Sequence, residues 1–344
     1  MAKDKLKQKE DKGPLSPRMK LIWTVLTVLL VGFLLWLFMW PLNASSVQVK
    51  PNPSTSYQES MDRIAKINES EKATIMPECL SYANTSGHVT KNVIVVYQGY
   101  TNCPIQYKQL SDQLVAQGYN VVVLRAPHHG EKDRNNNTLN QLTTGEVAEY
   151  ANDSVDIARG LGENVTVTGL SVGGAVATWT AQYRNDVKYY YPMAPFYAPK
   201  GVPGFAANAM IRGMEALPPI HIWWDNKTKE NNVTGSPYAY PGFDTHSLAA
   251  FLSFGDFWTQ LLVHNGGKDI VPTLVLNEND TAINNNLAAS KNTTGAKKND
   301  NNYLIFDIAK KYGLDHDIID PYNPKQNTAM VYPMLINLFN ARLK

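Results

Sequence analysis

Cysteine is scarce in this chain: Cys79 and Cys103 are the two in 344 residues. No cysteine or acidic residue at a recognised spacing joins the adjacent pair His128 and His129, so the pair completes no zinc pattern and no metal is expected. Charge of one sign is lacking too, with 32 Lys and Arg against 30 Asp and Glu, a net of +2. Seven of those cations (Lys3, Lys5, Lys7, Lys9, Lys12, Arg18 and Lys20) face only Asp4, Glu10 and Asp11 in the first 20 residues. That leaves the tail at +4 and everything from residue 21 onward at −2. A mildly acidic body offers no electrostatic footprint for nucleic acid. No internal repeat is evident.

Charge is absent altogether from Leu21 to Leu42. At about 1.5 Å per residue, such a helix spans the roughly 30 Å hydrocarbon core of a bilayer. Trp23, Trp36 and Trp40 lie near its ends, where indole favours the interface. The expectation is a transmembrane signal anchor over 21–42. Leu42-Asn43-Ala44 is a poor cleavage site and the run exceeds a signal-peptide core. Beyond it, Lys50 is the sole charge before Glu59, so the basic tail 1–20 is expected in the cytoplasm and the rest of the chain across the cell membrane. Residues 43–75, with Pro51, Pro53, Ser and Thr ahead of a short helical run from Tyr57 to Glu71, read as a polar stalk.

From residue 76 onward, apolar strand-like runs near 92–98, 119–124, 164–169, 187–193, 271–277 and 302–306 alternate with helical runs near 105–117, 145–161, 172–184 and 328–342. That alternation predicts a mostly parallel sheet covered by helices on both faces. Gly169-Leu170-Ser171-Val172-Gly173 joins one strand to one helix. Glycines on either side of a serine let the backbone turn sharply and expose the hydroxyl, the context of a nucleophile elbow. Ser171 is the candidate nucleophile. At the end of the 271–277 strand, Asp280 is the candidate acid and Glu278 the second choice. Of the seven histidines only His316 follows the last strand, where the base belongs.

With these motifs the chain resembles the α/β-hydrolase superfamily, in particular its bacterial carboxylesterase and monoacylglycerol-lipase-like members. The likeness is carried by Val93–Pro104, Gly118–Gly130, the elbow, and the Asp280 and His316 regions, and spans roughly 89–344. It implies a domain over 76–344 and a Ser171, Asp280, His316 triad. It also implies an oxyanion hole from the backbone N–H groups of Tyr100 and Val172, with Gly99 allowing close approach of the loop. Gln98 stands where the family usually has histidine, and His128 where its Pro-Gly-x-Gly turn usually has glycine.

About 75 residues, 196–270, separate two consecutive strands, more than an ordinary connection needs. Phe196, Tyr197, Trp223, Trp224, Phe251 and Phe254 let them form a helical cap over the site. In an oxidising compartment Cys79 and Cys103 can form one bridge, tying the N-terminal segment to the loop that carries Tyr100. Asn-x-Ser/Thr triplets at Asn164, Asn226, Asn232, Asn279 and Asn292 read as chance in an Asn-rich chain. The expected protein is a membrane-anchored serine hydrolase of small-molecule or lipid esters, working through an acyl-enzyme with no cofactor. The same scaffold also serves acyltransferases, serine peptidases and catalytically silent binding modules.

Overall fold

A computed structural model describes residues 16–39, 47–229, 236–264, 273–298 and 303–341. The tail up to residue 15, the end of the apolar run from Trp40 to Leu42, the start of the 271–277 strand and the Asn232 triplet lie outside these residues. The chain divides into two compact units, 1–40 and 41–344. The first holds α1 (Pro17–Met39), apolar on every side and with none of its residues buried. It is long and apolar enough to cross a membrane. It begins four residues earlier than its uncharged stretch because Arg18 and Lys20 extend the same helix.

The second unit is built on seven strands: β1 (Tyr82–Asn84), β2 (Thr90–Tyr97), β3 (Tyr119–Val123), β4 (Gly162–Leu170), β5 (Val187–Met193), β8 (Thr273–Asn277) and β9 (Leu304–Ile308). They form one sheet in the order β1-β3-β2-β4-β5-β8-β9. Only β1 runs antiparallel, pairing Ala83 with Val122 at one edge. Alternation along β2 splits the core in two. Val93, Val95 and Tyr97 pack with α4 (Thr144–Arg159) and α5 (Val172–Tyr183), while Ile94 and Val96 pack with α3 (Lys108–Ala116) and α9 (Thr328–Ala341). Both faces are dry, so the central strands read as continuous apolar runs.

The insertion after β5 contains α6 (Gly204–Ala216), the hairpin of β6 (His221–Trp223) and β7 (Gly242–Asp244), and α7 (Thr245–His264). Phe254 of α7 meets Trp179 of α5 edge-on at 5.0 Å. Part of the cap is therefore continuous with the main core. After β8, α8 (Asn285–Lys298) occupies a stretch for which the sequence pattern predicts no element.

The expected stalk is corrected by its packing. Its helix α2 (Tyr57–Glu71) is capped by Ser56 and buries Ser60 and Ile64. Ser60 Oγ donates to Ile157 O at 2.7 Å, Ser54 N to Asp156 O at 2.9 Å and Asn52 N to Asp156 Oδ2 at 2.7 Å. A Cβ on Gly160 would fall 2.3 Å from Ser60 Oγ, so α2 lies directly on the end of α4. The described part of this segment belongs to the α/β unit and is no spacer. The Cys79–Cys103 bridge is formed and fully buried, closing a separation of 24 residues. Closing a loop of that size restricts the unfolded chain by about 3–4 kcal/mol in the chain-entropy account.

Candidate active site

Ser171 follows the last residue of β4 and precedes the first turn of α5, with φ 61° and ψ −120°. A serine held at positive φ is strained. Four hydrogen bonds over-determine it: Ser171 N donates to Met193 O at 2.9 Å, and Ser171 O accepts from Gly174, Ala175 and Phe196 at 3.0, 3.2 and 2.9 Å. The flanking glycines are dictated by crowding. A Cβ on Gly169 would lie 2.4 Å from Gly173 O, and one on Gly173 would lie 2.3 Å from Tyr97 O. Only hydrogen at both positions lets α5 start this close to β2 and β4.

Asp280 lies three residues past β8. Its side chain is fully buried, and its Oδ2 accepts from His316 Nδ1 at 2.7 Å. Its Oδ1 accepts from the amides of Ala282 and Ile283 at 2.8 and 3.2 Å. Burial pushes this carboxyl up, but the His316 hydrogen bond and charge and the two amides outweigh it and leave it below its ordinary value. Of the two acids at this strand end, Asp280 meets the histidine. Glu278 instead accepts from Lys310 N at 2.8 Å. The structure thus brings Asp280 and His316 together, whereas among the described residues Ser171 Oγ makes no hydrogen bond to His316. Such contacts often tighten only with substrate bound.

The loop after β2 carries Gly99 and Tyr100. Among the described residues the backbone N–H groups of Tyr100 and Val172 donate to no acceptor. Gly99 N donates to Gln106 Oε1 at 2.8 Å, and a Cβ on Gly99 would press on Gln106 Nε2 at 3.1 Å. Gln98, in the family's histidine position, is structural: its Oε1 accepts from Ala126 N at 3.1 Å and its Nε2 donates to Asn102 O.

The cap is pinned to this loop. Tyr100 Oη shares a 2.6 Å hydrogen bond with Ser247 Oγ, and its ring meets Phe243 and Phe251 edge-on at 5.3 and 5.9 Å. Tyr240 N donates to Thr101 O at 2.9 Å. Ser171 is only 5% exposed. The adjacent histidines point apart. His128 Nε2 lies 3.1 Å from Glu146 Oε1, and His129 packs beside the Tyr100, Tyr240 and Phe251 rings. His129 Nδ1 donates to Pro127 O at 2.8 Å, and burial pulls its pKa down to about 3, so it stays neutral. A cavity of about 640 Å³ is lined by Asp280 with Lys200, Glu278, Asn284 and Asp307, but neither Ser171 nor His316 lines it.

The sequence pattern of the alpha/beta hydrolase family matches residues 99–297, more than half of the chain. Among solved structures, one from the metagenome-derived lipolytic enzymes LipS and LipT superposes with a TM-score of 0.56 at 14% identity, covering 78% of this chain and 98% of that one. A monoacylglycerol lipase of Paleococcus ferrophilus gives 0.53 at 16% identity, covering 75% and 97%. A soluble variant of the Saccharomyces cerevisiae monoglyceride lipase gives 0.53 at 14% identity, covering 77% and 90%. At these identities the likeness is one of fold. No curated protein matches the chain in sequence.

Proposed function

The chain belongs to the alpha/beta hydrolase family, and on that premise we propose that it is a serine ester hydrolase whose triad is Ser171, His316 and Asp280. The observation that carries the reading is the 2.7 Å hydrogen bond between His316 and the buried Asp280, in the same fold whose strained elbow holds Ser171. Because Nδ1 donates to Asp280, Nε2 is left with the lone pair a general base needs. Ser171 Oγ attacks the ester carbonyl as His316 Nε2 takes its proton. The negative oxygen of the tetrahedral intermediate accepts from the N–H groups of Tyr100 and Val172, which have no competing acceptor among the described residues. The alcohol leaves with the proton from His316, and water, activated by the same imidazole, releases the acid and restores the serine.

The substrate class is a small-molecule or lipid ester. The apolar helix α1 anchors the protein to the cell membrane in this reading, with the tail inside and the catalytic unit outside. The cationic tail and the buried disulfide support that orientation.

The test is fluorophosphonate labelling of the detergent-solubilised full chain, paired with hydrolysis of p-nitrophenyl esters of increasing acyl length. Wild type is expected to label and turn over, and Ser171→Ala to do neither. An unlabelled wild type, or an active Ser171→Ala protein, overturns the assignment.

A further inference from the structure

Gln106 is a buried polar side chain, 1% exposed, whose two amide atoms reach in different directions. Its Oε1 accepts from Gly99 N at 2.8 Å, one residue before Tyr100. Its Nε2 donates to Asp317 Oδ2 at 2.9 Å, one residue after His316. The other oxygen of Asp317 is already engaged, accepting from the amides of Ile319 and Asp320 at 3.1 and 3.0 Å. A second strut runs alongside, from Asn102 Nδ2 to Asp320 Oδ2 at 2.7 Å.

Resting on the triad reading above, we propose that Gln106 is a positioning residue that fixes the Tyr100 oxyanion donor relative to the catalytic base, through its amide bridge between Gly99 and Asp317. Gln106 touches no reacting atom. An oxyanion donor and a base stabilise one transition state only if both face the same carbonyl, and a displacement of about 1 Å is enough to cost on the order of a hundredfold in rate. These two loops lie about 200 positions apart in sequence, and a short planar amide holding both is a stiff way to set their separation. The tight approach also explains Gly99, since a Cβ there would push on the same amide.

The test uses the full chain in detergent, with rates referred to the number of serines labelled by fluorophosphonate, so that misfolded protein drops out of the count. Gln106→Leu removes both hydrogen bonds at similar volume. It is expected to lower kcat per labelled serine about 10–100-fold with KM changed by less than about threefold. The Ki of a trifluoromethyl ketone, which binds as an oxyanion, should rise by the same factor as kcat/KM falls. Gln106→Glu sets two carboxylates against each other, and Asp317→Asn sets two amide donors against each other, so each alone should be impaired. The double exchange restores one acceptor and one donor and should recover most of the loss.

Wild-type kcat and Ki in the singles, or a double variant no better than the singles, overturns the bridge and leaves the triad standing if Ser171 still labels. Failure of wild type to label at Ser171 overturns the triad reading and the bridge together.

Discussion

At Asp280 burial and partnership act in opposite directions on one carboxyl. Burial favours the neutral acid, while His316 and the amides of Ala282 and Ile283 favour the anion and prevail. The folded state therefore holds this carboxylate more firmly than the unfolded chain does. That adds stability above about pH 4, lost as acid protonates the group. The same anion fixes the imidazole tautomer, so replacing it with an amide should spare the fold and damage the chemistry. Asp280→Asn is expected to lower kcat by about 10⁴-fold, since an amide can donate to Nδ1 and reverse the tautomer. Glu278→Gln should stay within a few-fold of wild type, because its carboxylate accepts from Lys310 N. Steady-state kinetics on the two variants decide the point, and a crippled Glu278→Gln enzyme would transfer the acid role. The sequence ranks Asp280 ahead of Glu278 because the acid is expected in the loop past the strand, and strand β8 ends at Asn277 with Asp280 in the loop beyond it, against His316.

Elements were legible where burial was continuous on both faces, as in β2 to β5, and illegible where few residues carry the signal. Strand β1 is three residues long, and α8 is written in Asn, Thr and Ser, whose helix propensity is weak. Helix α2 was legible as a helix but not as packed, because its composition is polar and its buried stripe is just Ser60 and Ile64, four residues apart. That stripe separates a docked helix from a spacer. Ile64 is 4% exposed within the main core, so Ile64→Ala should destabilise the α/β unit by about 2–5 kcal/mol in urea unfolding. A change within about 0.5 kcal/mol would return α2 to the role of a loose stalk. Truncation is bounded by the same contacts: a soluble chain begun after Glu71 loses the anchors at Asn52, Ser54 and Ser60 and should express poorly.

Across the whole molecule, Ser171, Asp280 and His316 could be singled out as candidates because they follow strands β4, β8 and β9 in that order, whereas the groups that hold those residues could not. Asn102 and Asp320 meet across 218 positions, and nothing in the sequence pairs them. Gln98, one of the two departures from the family pattern, is a local sign that this loop is held in its own way. The arrangement leaves a carboxyl in the interior. Asp320 is fully buried, and burial, with the neighbouring Asp317 charge second, pushes it up to about 6. Here the folded state binds the proton more tightly than the unfolded chain, whose aspartate titrates near 4. The stabilising contribution of the protonated form is complete below about pH 4 and is lost as the pH rises through about 6. Over that window wild type should lose up to about 3 kcal/mol of unfolding free energy relative to Asp320→Asn, which cannot ionise. Carboxyls held low in the folded state, such as Asp280 and Asp186, act below about pH 4 and are shared by both proteins, so the difference between the two curves isolates Asp320. Urea unfolding at pH 4, 5, 6 and 7 supplies those curves. A constant gap would mean that Asp320 carries the same charge on both sides of pH 6, and that the strut to Asn102 is made to a carboxylate throughout.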